Sequence, residues 1–216
     1  MSNITDWISA ASSAGTLIVA FMAYKAVPKL IHQKADEISY ILANQLICEL
    51  YPQIIEDIYN LSLPFRYLPS KDFADLVPLS KQQHIDLVEH LERNEDLIWK
   101  FNEKERLLCN NIRRLSRYGW NLQPKQKELN NIFLNEIQYF YSVYVSCDTK
   151  AKMLLWPDRE KYDNSDEYNE HVKYYHDEIY KSHDMLILKS NLLTKYINDF
   201  LDSTTRVDDF FTRNVK

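Results

Sequence analysis

The sequence predicts an all-α chain: an N-terminal transmembrane helix followed by a cytoplasmic antiparallel bundle of long helices. Three observations carry that prediction. Trp7 to Tyr24, WISAASSAGTLIVAFMAY, is a run of 18 residues without a charge. At the α-helical rise it is roughly 27 Å long, close to the ~30 Å hydrocarbon layer of a bilayer. Beyond it, apolar residues recur at three- and four-residue steps through four long stretches. Finally, only 2 glycines occur in 216 residues, too few for a sheet-rich fold with many tight turns or for a glycine-built phosphate loop. With 45% hydrophobic residues, the chain can bury a core and escapes the composition of disordered proteins.

The uncharged run has two rival readings. A cleaved signal peptide wants positive charge ahead of its apolar segment, and here Asp6 stands there. A buried core helix would usually be apolar over a shorter run, although Ser9, Ser12, Ser13 and Thr16 do weaken the hydropathy. The flanks set the orientation. Lys25, Lys29 and Lys34 follow the run and no Lys or Arg precedes it, which places the C-terminal side in the cytoplasm and the N-terminus outside. Trp7 and Tyr24 mark the two ends, where amphipathic rings favour the headgroup zone. Ala11 with Gly15, Ser12 with Thr16 and Thr16 with Ala20 form small-residue pairs at four-residue spacing. Such pairs let helices approach closely in lipid, so a homo-oligomer through this face is one expectation. An anchor that merely happens to be rich in Ala and Ser is the other.

Residues 1–27 are thus read as tail and anchor, 28–205 as the helical domain, and 206–216 as a tail, with fraying from about Asp202. Pro28 would kink the chain at the membrane surface. A stripe of Ile38, Ile41, Leu42, Leu46 and Leu50 continues past Pro52 into Ile54, Ile55, Ile58 and Leu61, so the two segments can form one bent rod. Residues 62–79 hold Pro64, Pro69 and Pro78 and read as an ordered loop. From a cap at Ser80, the next helix carries Ile85, Val88, Leu91, Ile98, Phe101, Leu108, Ile112 and Leu115, with a break expected near Asn94 and a stop at Gly119. Pro124 suits a following first turn, and Leu129, Ile132, Phe133, Ile137, Phe140, Tyr144, Cys147 and Ala151 trace its inward side. After a polar loop over 157–166, the last helix buries Val172, Tyr175, Ile179, Ser182, Leu186, Leu193, Ile197 and Leu201.

Most site chemistries are missing from the sequence. There is no phosphate loop, CxxC pair, HExxH or GxSxG elbow, so no catalytic residue and no cofactor is expected. The chain's net charge is −5. The first 34 residues hold three lysines against Asp6, so the remainder is more acidic still, and general nucleic-acid binding is not expected. Cys48, Cys109 and Cys147 are odd in number and far apart, and read as reduced core thiols. His171, His176 and His183 sit with Glu170, Glu178 and Asp184 on one helix and are the weak metal candidates. They lack the Glu-x-x-His pair and a matching second helix, so a solvated polar face explains them better. Arg113, Arg114 and Arg117 form the one basic knot. With Tyr118 and Trp120 it could touch anionic headgroups or a phosphate-bearing ligand; compensating charge at a helix C-terminus is the plainer explanation.

The stretch WISAASSAGTLIVAFMAYKAVPKLI, with the Tyr-, Asn- and Ile-rich helical chain behind it, resembles a class of small bacterial single-span membrane proteins. These are often carried on prophages and genomic islands, some of them in anti-phage defence. The likeness covers about a ninth of the chain, is one of composition, and transfers no functional residue. It implies a bacterial inner membrane and a partner from a neighbouring gene. The leading expectation is a membrane-anchored, non-enzymatic helical module that holds a protein partner at the inner membrane. Alternatives are an effector that perturbs the bilayer by oligomerising through its span, and a metal-dependent enzyme.

Overall fold

The computed structural model describes residues 2–66, 81–155 and 165–213, with side chains from Ser12 onward except at 81–85, 87, 154–155, 165, 168–169, 171–172 and 175–176. It is mostly helical. Helix α1 (Ser2–Gln45) runs through a π-helical turn (Leu46–Leu50) directly into α2 (Tyr51–Arg66). Helix α3 (Lys81–Arg117) leads to a short strand, β1 (Trp120–Leu122), and then to α4 (Pro124–Leu155) and α5 (Ser165–Leu201). A 3-10 turn (Val207–Phe210) and β2 (Phe211–Arg213) complete the described chain. The expected cap at Ser80, most of the proline loop and most of the 157–166 loop lie outside the described residues.

The wide turn has a cause in the sequence. Buried residues Leu42, Leu46, Leu50, Ile54 and Ile58 fall at steps of four, and on a helix of about 3.6 residues per turn each such step drifts by about 40°. A turn that bonds the Tyr51 N–H to the Leu46 carbonyl, five residues back, takes up part of that drift and keeps one stripe on the core. It also comes just ahead of Pro52, whose ring would crowd the Cys48 carbonyl in an ordinary α-turn. The rod expected from the sequence is therefore continuous, and α2 runs on through Pro64 to Arg66 where a loop was expected. Nor does α3 break at Asn94: the helix is unbroken from Lys81 to Arg117. Asn94 is buried there, its amide donating to the Leu61 carbonyl of α2 at 3.3 Å.

The core is one cluster. Its most extensive seam joins α4 to α5, and α2 packs on both α3 and α5. Phe133, Ile137, Phe140, Tyr144, Cys147 and Ala151 are buried as expected, as are Leu91, Phe101, Leu108 and Leu115 on α3 and Ile179, Leu186, Leu193 and Ile197 on α5. On the expected apolar stripes, Ile38, Ile41 and Ile132 are instead exposed. Periodicity picks out a face but not its edges, and these residues sit at the edges of theirs.

The tail is the larger correction. Residues 207–213 are ordered, because Phe210 and Phe211 are buried. Phe210 packs on Phe200 at 5.2 Å between ring centroids, and Phe211 on Trp120 at 5.8 Å. Strand β2 pairs antiparallel with β1, Leu122 opposite Phe211. Gly119 stands at φ 85° between α3 and β1, a conformation that side-chain-bearing residues rarely adopt.

Candidate functional site

The first candidate is the exposed length of α1. Among the described residues, every side chain from Ser12 to Lys34 is exposed, with Leu17 at 72% and Ile18 at 56%. The helix is long and apolar enough to cross a membrane, and its most apolar stretch has no residue buried against the rest of the chain. Its polar residues hide part of their polarity: the Thr16 hydroxyl donates to the Ser12 carbonyl at 2.9 Å. Ser12, Gly15, Thr16 and Ala20 are all exposed, and a Cβ placed on Gly15 would meet nothing within 4 Å. The side chain of Ala11 lies outside the described residues.

A clasp holds the base of this helix, and sequence reasoning missed it. Asp36 of α1 accepts from the Trp120 indole N–H at 3.1 Å and from an Arg213 N–H at 3.3 Å. The Arg213 guanidinium also stacks over the Trp120 ring, 4.6 Å from its centroid. Residues 36, 120 and 213 meet only because β1 and β2 pair, so no local pattern announces them. The available signal was an indole just after a helix-stopping glycine, since a buried Trp N–H seeks an acceptor.

The basic knot lies beside that base. Arg113, Arg114 and Arg117 are exposed, and none makes an ion pair among the described residues. Tyr118, four residues after Arg114 and so on its face, lines a groove together with Leu30, Ile31, Lys34, Ala35 and Ile38 of α1. The last turn of α3 and the first turns of α1 beyond the apolar run thus form one surface.

Of the three histidine metal candidates, only His183 has a described side chain. Among the described residues no group of three or more His, Cys, Asp or Glu could hold a metal ion, and the side chains of His171 and His176 lie outside them. His183 is buried and engaged at both ring nitrogens. Nε2 lies 2.6 Å from the Phe65 carbonyl, which can only accept, so this nitrogen carries a hydrogen; Nδ1 lies 2.9 Å from Asp184. His183 therefore ties α5 to the end of α2. Beside it Arg66 donates to Ser190 at 2.8 Å and to Ser62 at 3.0 Å. The cysteines divide. Cys147 is buried, its thiol pushed up to about 12 mainly by desolvation, so it is inert at neutral pH. Cys48 is exposed, contrary to the core position expected for it.

A cleft of about 210 Å³ opens between α3 and α4, where Trp99, Tyr141 and Tyr144 meet Asp148 and Lys152. Trp99 is 71% exposed. Lys152 spans the cleft's two acids, 2.8 Å from Glu95 and 3.1 Å from Asp148. One lysine between two carboxylates leaves this group with a net negative charge, and burial raises the Asp148 carboxyl above its ordinary value against the opposing pull of Lys152.

One buried ion pair has a pH consequence. Asp57 of α2 is 4% exposed and accepts from Lys104 of α3 at 2.7 Å. Burial raises its pKa, and this outweighs the opposing pull of Lys104. The folded state thus favours the protonated acid more than the unfolded chain does. Its contribution to stability is greatest below the ordinary carboxylate pKa and falls as pH rises through the raised one. In thermal unfolding of the full chain, Asp57→Asn should gain on the parent progressively over the range of pH above the ordinary carboxylate pKa. A difference that stays flat across that range would show that Lys104 fully offsets the burial.

In comparisons with known proteins, the chain matches no protein-family model, no curated sequence and no solved structure.

Proposed function

We propose that this chain is a membrane-anchored helical interaction module. Residues 7–24 cross the bacterial inner membrane once with the N-terminus outside. The rest forms a cytoplasmic helical bundle that holds a protein partner at the membrane, in a phage-defence or stress system. The observation that carries this reading is the unbroken helix from Ser12 to Arg66. Its first part, Ser12 to Lys34, has every side chain exposed, and its last part, from Leu42 to Phe65, turns one face into the core. A helix that only stabilised a soluble domain would have no use for an apolar half that the domain leaves bare. Without a flexible linker, the span's position and rotation set those of the whole bundle.

The partner reading draws on the α3–α4 cleft. An exposed tryptophan beside two tyrosines, ringed by charged groups, has the make-up of an interface hot spot. The alternative of a bilayer-perturbing effector draws on Gly15, whose face is open to a second helix. One experiment separates the two. In the native host, residues 7–24 are replaced by an unrelated span of equal length, and in a second variant Gly15 becomes Leu. A tether keeps its co-purifying partner in the membrane fraction in both variants and loses it from that fraction when the span is deleted. A partner whose location ignores the deletion would refute the tether, and toxicity abolished by Gly15→Leu would favour the effector.

A further inference from the structure

We infer that the groove between α1 and Tyr118 holds an anionic phospholipid of the cytoplasmic leaflet, its acyl chain along Leu30, Ile31 and Ile38 and its phosphate toward Lys34 and Arg114. This rests on the anchored reading and adds a specific ligand to it. The groove is about 330 Å³, and apart from Lys34 its walls are almost wholly apolar. Leu30, Ile31 and Ile38 are all exposed, so the groove is a bare apolar surface and not a closed part of the core.

Two features point to lipid as the occupant. The first is continuity. The exposed apolar side of α1 does not end with the uncharged run at Tyr24; it goes on through Val27, Leu30 and Ile31 to Ile38 on the same continuous helix, which Pro28 does not interrupt. From Leu17 to Ile38 that helix is roughly 33 Å long. Whatever solvates the anchor therefore reaches the groove, and a tilted helix brings it to headgroup level.

The second feature is charge. Lys25, Lys29, Lys34, Arg113, Arg114 and Arg117 are exposed, and none makes an ion pair among the described residues. Lys25 lies over the Phe21 ring, 4.8 Å from its centroid. Of the two acids on this part of α1, Asp36 is taken up by Trp120 and Arg213; Glu37 is exposed. The chain as a whole is acidic, so unpaired cations gathered at its membrane-facing end are what an anionic leaflet attracts. Tyr118 lines the groove, and tyrosine, with an apolar body and a polar tip, favours an interface.

The test uses the full chain in nanodiscs of phosphatidylcholine alone or with about one-fifth phosphatidylglycerol, a surface charge in the range that attracts basic segments. Lipids kept after mild detergent are counted by native mass spectrometry. The parent should keep phosphatidylglycerol in preference to phosphatidylcholine. Lys34→Glu and Arg114→Glu should each reduce that retention roughly fivefold or more, and Tyr118→Asp should remove it. All three side chains are exposed, and unchanged thermal unfolding confirms that each variant is folded. If the chain enters discs but keeps both lipids equally, or if the variants keep as much as the parent, the lipid site is refuted and the anchor stands. If the chain enters neither kind of disc, the anchor fails and the lipid site with it.

Discussion

A chain carrying Leu17→Arg and Ile18→Arg is expected to leave the membrane fraction while its helical domain stays folded. Each arginine near the centre of a span costs about 2.5–3.5 kcal/mol, where Leu or Ile contributes only about −0.3 to −0.6. Two together remove more than the Ser- and Thr-diluted run can offset. Neither position touches the core, being 72% and 56% exposed, so the folded domain has no reason to respond. Fractionation of host membranes, with thermal unfolding of the released chain as the control, measures both halves of the expectation. Retention of the doubly charged chain in the bilayer would mean that something other than residues 7–24 holds it there.

The second large effect is expected at Tyr51. This residue is fully buried just after the π turn. Its ring lies 4.6 Å from Phe200 and 5.9 Å from Phe133, centroid to centroid, and its hydroxyl donates to Asn130 at 2.5 Å. It is thus where the rod meets α4 and α5 together. Tyr51→Ala should cost about 3–5 kcal/mol, the range for emptying a large aromatic site. Tyr51→Phe should cost less, about 1–3 kcal/mol, because it leaves the buried Asn130 carbonyl oxygen without its donor. Burial raises the pKa of the phenol far above its ordinary value, so the hydroxyl stays protonated and remains a donor. Denaturant midpoints of the three proteins check the order. Equal losses for Ala and Phe would mean that the hydrogen bond, and not the ring packing, carries the site.

Much of the architecture was legible one helix at a time. Phe133, Ile137, Phe140 and Tyr144 repeat closely enough that a single face could be drawn and found buried. The proline rules were the weaker guide. Pro64 removes one hydrogen bond but sits within the last turn of α2, and its neighbours Ser62 and Phe65 are buried against the rest of the fold. The break near Asn94 is absent for a related reason: Glu95 interrupts the apolar stripe, yet Asn94 beside it finds a partner inside the core in the Leu61 carbonyl. The ordered tail escaped notice because VDDFFTR has little local preference. Trp120, Leu122 and Phe200, all outside that segment, help give Phe210 and Phe211 somewhere to be buried.

The candidate surfaces follow the same division. An uncharged run of bilayer length, basic flanks on one side, a shortage of glycine and long apolar stripes were all present in the sequence. They depend on spacing and composition, which act over a few turns of helix. The Asp36–Trp120–Arg213 clasp, the burial of His183 against the end of α2 and the meeting of Tyr118 with Leu30 and Ile38 were decided by tertiary structure. Each joins residues dozens of positions apart, and such contacts form only once the packing of whole helices has set which faces and ends come together.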